Sequence, residues 1–405
     1  VTQTSTEKVS WLTILSASFL VAGNLLGIGI LALPIKVGLS GFLPSIFDIL
    51  LICLVMLLSA FIIVMRLSKE KKNFDIPSFF NQELGTIGYW IAIICNLILL
   101  YGVLVAYLSV ISSIIITFLP PQIPHVFITF GYFLFVTSLI MFGRRVLRGG
   151  NTVLLIAIFI CFLILIKSGM ADFKPHLLTY TDWKYIPLGL PVAVSAFHFH
   201  NIIPTVFNYV KHDVKAVRKV ISIGVGIGLI MNLIWTSVVL GSLLPSAGIN
   251  SILFTFEHGL PATIPMAHLL HSGIFTTAGL IFAFLAVTAS YVANGTGLFG
   301  FIKDMTFTYF RTENKLLIGC LAFILPLIIT VVYPQIFLSA VDIVGGIGET
   351  VLFAILPGII LLRINKGRIL ILSFIGYSMF IIGSFIFLFI LGQKLDLIHL
   401  APMLH

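Results

Sequence analysis

Charge is scarce in this sequence, and the scarcity excludes a soluble fold. Only 9% of the residues are Asp, Glu, Lys or Arg while 59% are hydrophobic, whereas a water-soluble domain carries roughly 25% charged residues. A water-facing surface cannot be assembled from so few charges. From Leu84 to Gly143 charge is absent altogether. As one helix that stretch would reach about 90 Å at 1.5 Å per residue, far more than one bilayer. The run therefore turns back at least once, and Pro120-Pro121-Gln122-Ile123-Pro124 supplies the break, because proline removes a backbone donor and clashes with the preceding turn.

Other absences narrow the function. Cys53, Cys95, Cys161 and Cys320 each lie inside an apolar run with no CxxC or other ligand spacing, so they read as packing residues. The net charge of +9 falls in short clusters between apolar runs, without the basic stripe and interleaved aromatics of a nucleic-acid surface. No nucleic-acid partner is expected. HExxH, GxSxG and paired-Asp motifs are missing, which argues against an intramembrane hydrolase. There is no Walker A sequence, so active transport would have to draw on an ion gradient. No enzyme, cofactor or metal site is expected. Repeated carbonyl or charge rings are not visible either, which leaves a channel as the weaker alternative.

What is present is a series of apolar runs. Eleven of them lie between charge clusters and turn signals, at 10–35, 40–66, 86–118, 124–142, 151–168, 184–210, 219–243, 268–302, 316–333, 336–362 and 369–391. The first begins near Trp11 and continues to Ile35, too long for a cleavable signal, and reads as the first span. Assigning the connections alternately to two sides places Lys8, the Arg66/Lys69/Lys71/Lys72 cluster, Arg144/Arg145/Arg148, Lys211/Lys215/Arg218/Lys219, Lys303/Arg311/Lys315 and Arg363/Lys366/Arg368 together. That side holds 18 of the 23 basic residues. By the positive-inside rule the N-terminus is cytoplasmic and the C-terminus external.

Two spans contain breaks. The first carries Gly23-Asn24-Leu25-Leu26-Gly27-Ile28-Gly29 and ends at Leu33-Pro34; the sixth carries Pro187, Pro191, Ser195-Ala196-Phe197-His198-Phe199-His200-Asn201 and Pro204. A membrane helix satisfies its own backbone, so such segments at mid-membrane depth need a reason. The two breaks are five spans apart. Five is odd, so if spans 1–5 and 6–10 are repeats, the second copy is inverted in the membrane. This predicts an all-α polytopic membrane protein with a LeuT-type 5+5 inverted repeat and an eleventh helix. The boundaries follow: a cytoplasmic tail at 1–9, the first repeat at 10–183, the second at 184–362, and helix 11 with an external tail at 363–405. A break suits a zwitterion, since restarting N–H groups hold a carboxylate and stopping carbonyls hold an ammonium or a cation. The first helix is expected to stop at Ala22 and Gly23 and to restart over Gly27, Ile28, Gly29 and Ile30, where small residues let a ligand approach the backbone.

These residues resemble the bacterial hydroxy and aromatic amino acid permeases of the amino acid/polyamine/organocation superfamily. Gly-Asn-Leu-Leu-Gly-Ile-Gly-Ile-Leu-Ala-Leu-Pro at 23–34 is similar to their first-helix GxGxLAxP pattern, and Phe-His-Phe-His-Asn-Ile-Ile-Pro at 197–204 is similar to Phe-Gly-Phe-His followed by three residues and a proline. Similarity continues through Ser290 to Phe299 and at Tyr333-Pro334. The Phe-x-Phe-His form sides with the tyrosine and tryptophan branch rather than the serine and threonine branch. His198 departs from it, standing where glycine is usual. The resemblance implies transport of an aromatic amino acid across a bacterial inner membrane by proton symport; sodium coupling or a serine/threonine-type substrate is the alternative.

The candidate residues gather around the breaks. His200 matches the family histidine, and an ionisable group in a span is a functional candidate for substrate contact or proton handling. His198, two residues away, gives a weak metal signal that is discounted. Phe197 and Phe199 could stack on an aromatic substrate or simply pack. Asn24 and Asn201 could bind substrate or cap freed backbone. Tyr101, in the third span with Asn96, would reach the site if that helix is tilted. Asp342 and Glu349 lie two turns apart on one face of the tenth span. Glu349 falls near mid-membrane, where a carboxyl can exchange a proton. Ser290 and Asn294 on the eighth span could line a cation site facing the first helix. Asp48, near the outer end of the second span, reads as an interfacial residue.

Overall fold

The computed structural model describes residues 9–67, 76–116, 122–142, 144–246 and 248–400. Pro120 and Pro121 of the expected turn, most of the 1–9 tail, the end of the 363–405 tail, and Lys8, Lys69, Lys71 and Lys72 lie outside the described residues, as do the side chains of Ile28, Arg144, Arg145 and Arg148. Named in chain order, the helices are α1 (Trp11–Leu25), α2 (Ile28–Gly38), α3 (Phe42–Leu67), α4 (Ile76–Ile116), α5 (His125–Phe142), α6 (Arg144–Gly169), α7 (Ile186–Ala196), α8 (Ile203–Tyr209) and α9 (Val214–Ser242). There follow α10 (Ile252–Glu257), α11 (Thr263–Leu270), α12 (Gly273–Phe310), α13 (Lys315–Val332), α14 (Phe337–Ile343), α15 (Leu356–Asn365) and α16 (Leu370–Lys394). Among the described residues nine helical segments are long and apolar enough to cross a bilayer. The bent pair α1 and α2 makes a tenth, and α5 occupies the shorter apolar run expected at 124–142. The chain is an all-helical polytopic membrane protein.

Boundaries moved where local chemistry outweighed hydropathy. The third span begins at Ile76 rather than 86, and Gly85, at φ 76°, supplies the kink that joins its two parts. The run expected at 268–302 divides: residues up to Leu270 close α11, Ser272 caps the next helix by accepting from Phe275 N–H, and α12 then continues to Phe310. Asp213 accepts from Lys215 and Ala216 N–H at the start of α9, and Asn314 does the same for Leu316 and Leu317 at the start of α13, as short polar side chains do at helix N-termini.

Packing sorts the helices around the two broken spans. α1 lies against α9, α2 against α7, and α3 against both α7 and α9. A second group joins α4, α5, α12 and α13. Between the groups runs the tenth span, whose middle is wound with wide π-type turns at Val344–Glu349 and Val351–Ile355 and touches both α4 and α7. Glycines permit the closest approaches. A Cβ on Gly29 would lie 2.4 Å from Ala196 Cα, and one on Gly345 would fall on the Pro191 carbonyl oxygen. The connection after α6 crosses the α2–α3 turn, where Gly41 at φ 87° receives the Tyr180 carbonyl and Asp182 N–H donates to Ser40 O at 2.7 Å.

Candidate functional site

The first break falls slightly later than the sequence suggested. α1 runs on through Ala22 and Gly23 to Leu25, and α2 starts at Ile28 after a 54° bend, with Gly27 in its N-cap position. Ala22 and Gly23 therefore do not form the stop. They line a 470 Å³ apolar groove between α1, α6 and α9, together with Phe19, Leu155 and Met231. The reason is local: Leu26 N–H still finds Gly23 O at 3.2 Å, so the helix holds one more turn before Gly27 releases it. The restart over Gly27, Ile28 and Gly29 agrees with the expectation. Pro34 has no N–H to give the Ile30 carbonyl, and Trp235 Nε1 of α9 fills the role at 2.7 Å.

In the sixth span α7 stops at Ala196, three residues of irregular backbone follow, and a single turn at His200–Ile202 leads into α8. The two breaks touch. Asn24 Nδ2 donates to the His198 carbonyl at 2.9 Å and reaches Asn201 Oδ1 at 3.4 Å. Asn24 thus satisfies backbone that the break in the other span left open.

Beside this junction lies a buried acid. Glu349, 1% exposed, stands on the wide turns of the tenth span and accepts from Ser195 Oγ at 2.8 Å through Oε2. Its Oε1 lies 3.0 Å from His198 Nδ1. His198, the departure from the family motif, is therefore the group that meets Glu349. The two histidine rings are nearly parallel, 6.4 Å apart, and both face Phe353, at 5.3 Å for His198 and 4.2 Å for His200. Phe199 stacks on His200 at 4.8 Å. Neither nitrogen of His200 makes a hydrogen bond; the Met56 backbone lies close by outside hydrogen-bond geometry. Phe197 is fully buried in the core.

The remaining candidates divide. A Cβ on Gly27 would lie 2.9 Å from Ser290 Oγ, so Ser290 does face the first break. Asn294 Nδ2 donates to the Ser290 carbonyl at 3.0 Å and to the Tyr107 hydroxyl at 3.4 Å, while its Oδ1 is buried without a partner. Tyr101 is directed elsewhere: its hydroxyl donates to Leu321 O of α13 at 2.8 Å. Tyr107, six residues on, is the tyrosine of α4 that reaches this region. Asp342 is also separate from Glu349, because Lys36 of α2 holds it at 2.8 Å in a buried ion pair over the Phe256 ring. Asp48 is not interfacial but 0% exposed, since distance along a helix gives depth and not the face presented. Sequence reasoning passed over Phe353, Tyr107 and the hydroxyl role of Ser195. Phe353 lies four residues after Glu349, and that spacing was a usable signal.

Residues 12–391 match the tryptophan/tyrosine permease family. The chain belongs to this family. The tyrosine-specific transport system 1 of Haemophilus influenzae is 27% identical over 334 residues, covering 81% of this chain and 83% of that protein. A tryptophan-specific transport protein of Pseudomonas aeruginosa is 24% identical over 355 residues and 82% of each chain. The glutamine transporter 2 of Aliivibrio fischeri is 24% identical over 343 residues, 82% of this chain and 84% of its own. The resemblance read from 23–34 and 197–204 is borne out, and the chain is a permease of several membrane spans.

Proposed function

We propose that this permease is a secondary active transporter that imports tyrosine, tryptophan or phenylalanine by proton symport with alternating access. The observation that carries the reading is the junction of the two broken spans, where Asn24 binds the opened backbone at His198 and Glu349 meets His198 on its other side. A substrate carboxylate suits the N–H groups at Gly27, Ile28 and Gly29, and its ring suits the face shared by His200, Phe199 and Phe353. The carboxyl of Glu349 exchanges the coupled proton with His198 in reach. The repeats at 10–183 and 184–362 then form an inverted pair, with α1, α2, α3, α7, α8 and α9 rocking against the rest, in a bacterial inner membrane with the N-terminus inside and the C-terminus outside.

One contact suits alternating access: Lys36 and Asp342 tie α2, in the rocking group, to α14, outside it, on the side with few basic residues. Sodium is the second reading, favoured by the unpartnered Asn294 Oδ1 near Ser290 and the first break.

Uptake into proteoliposomes, with proton and sodium gradients imposed separately, tests the proposal. Unlabelled tyrosine, tryptophan or phenylalanine should reduce uptake of labelled tyrosine far more than serine, threonine or glutamine does. Stronger competition by serine or glutamine would move the chain to another substrate class, and accumulation under a sodium gradient alone would replace the proton.

A further inference from the structure

Asp48 is a further buried carboxyl of the bundle, besides Glu349 and Asp342, and no part of the site described above uses it. It stands on α3, 0% exposed, with neither carboxyl oxygen hydrogen-bonded. The chain makes room for it: a Cβ on Gly189 of α7 would lie 2.7 Å from Asp48 Oδ2, with Val37 Cα of α2 at 3.1 Å. The carboxyl is thus wedged between the halves of the two broken spans, α2 and α7.

The elements packed on α3 offer it no counter-charge. α7 and the Val351–Ile355 turns contain no charged residue. α2 has only Lys36, which is engaged by Asp342. Lys215, Arg218 and Lys219 sit at the far end of α9, and Arg363 at the far end of α15. In the nearby connection His176 and Lys184 are exposed, and Asp182 holds its own backbone at Lys184 N. An ionised carboxylate in such a place costs several kcal/mol without a partner, so in this conformation the group carries a proton. One turn toward the basic-poor end, Ser45 Oγ donates to Val37 O at 2.8 Å, and Ser40 Oγ donates to the same carbonyl at 2.6 Å. These hydroxyls stand between Asp48 and the loop surface.

We propose that Asp48 is a second proton-binding site of the transport cycle, filled from the basic-poor side when the group containing α2, α3 and α7 swings off the tenth span, and emptied on the return. A hydronium ion gives its proton to the Asp48 carboxylate and leaves as water; return of the tenth span onto α3 and α7 then traps the neutral acid. Both carboxyls bear on one half-helix, Asp48 at Gly189 and Glu349 at Ser195, about 9 Å apart along α7 at 1.5 Å per residue. Movement of α7 therefore changes the surroundings of both.

This proposal rests on the proton-coupled reading, and its test separates the two. Full-length wild type, Asp48→Asn and Glu349→Gln are reconstituted in vesicles, and infrared difference spectra between neutral and alkaline pH are recorded. The protonated-carboxyl band that wild type shares with Glu349→Gln is expected to be lost in Asp48→Asn, which should also move fewer protons per tyrosine while exchange persists. Gly189→Ala, which keeps the acid and crowds it, should shift the same band. An unchanged band in both Asp48→Asn and Gly189→Ala overturns the proposal, as does a wild-type proton ratio in Asp48→Asn. A wild type whose uptake ignores the proton gradient refutes the coupling reading, and the infrared band then decides Asp48 alone.

Discussion

Glu349 has a hydroxyl on one oxygen and an imidazole nitrogen on the other, the arrangement on which the proposed proton symport rests. Replacing it by Gln keeps the shape and one acceptor while removing the exchangeable proton. Glu349→Gln is expected to cut gradient-driven accumulation severely and to spare exchange of substrate across the membrane. His200→Ala, which removes a ring from the stack on Phe353, should weaken substrate binding as well. Wild-type accumulation in Glu349→Gln, measured in the same vesicles, would take that residue out of the mechanism. At this scale the sequence was informative about polarity and poor about pairing. Glu349, Asn24 and His198 are visible as polar residues in apolar runs, but which histidine meets the acid depends on the irregular backbone between Ala196 and His200. No periodicity describes such a segment, so the partner could not be read in advance.

Between elements, the ion pair of Lys36 and Asp342 joins α2 to α14 with side chains only 4% and 8% exposed. Removing one partner of a buried pair leaves an uncompensated charge and costs about 3–5 kcal/mol, whereas replacing both with apolar groups of similar size is often neutral. Lys36→Met and Asp342→Leu should each lower thermal stability in detergent, and the double variant should recover most of the loss. Additive losses in the double variant would show that the two side chains act independently. The breaks themselves were legible, because glycine and proline clusters mark where a helix cannot satisfy its own backbone. Their limits were not: α1 continues past Ala22 and Gly23 because Leu26 can still close a turn onto Gly23. The helices α10 and α11 were also missed, being too short to stand out by hydropathy.

For the molecule as a whole, orientation is the most exposed expectation. Single cysteines introduced into a background lacking Cys53, Cys95, Cys161 and Cys320 should label from the cytoplasmic side at 211–218 and from outside at 169–183 and 244–267. Labelling of 211–218 from outside would end the inverted-repeat argument, since spans 1–5 and 6–10 would no longer face opposite ways. Ten of the eleven expected runs were legible as spans among the described residues, counting the bent pair α1 and α2 as one, because each must bridge about 30 Å of hydrocarbon, whereas α5 is shorter. Which runs contact one another was not, because lipid-facing and protein-facing side chains are equally apolar in a membrane.

The tenth span carries a further consequence. Thr350 N–H reaches Gly345 O, five residues back, and its hydroxyl bonds the same oxygen at 2.5 Å. A stretch wound this wide holds surplus backbone relative to an α-helix. Tightening it by one residue would turn everything beyond by about 100°, given 3.6 residues per turn. Phe353 would then swing off the histidines while Asp342, upstream, kept its lysine. Such a span is built to work as a cam, where a click of one residue would replace a gradual bend.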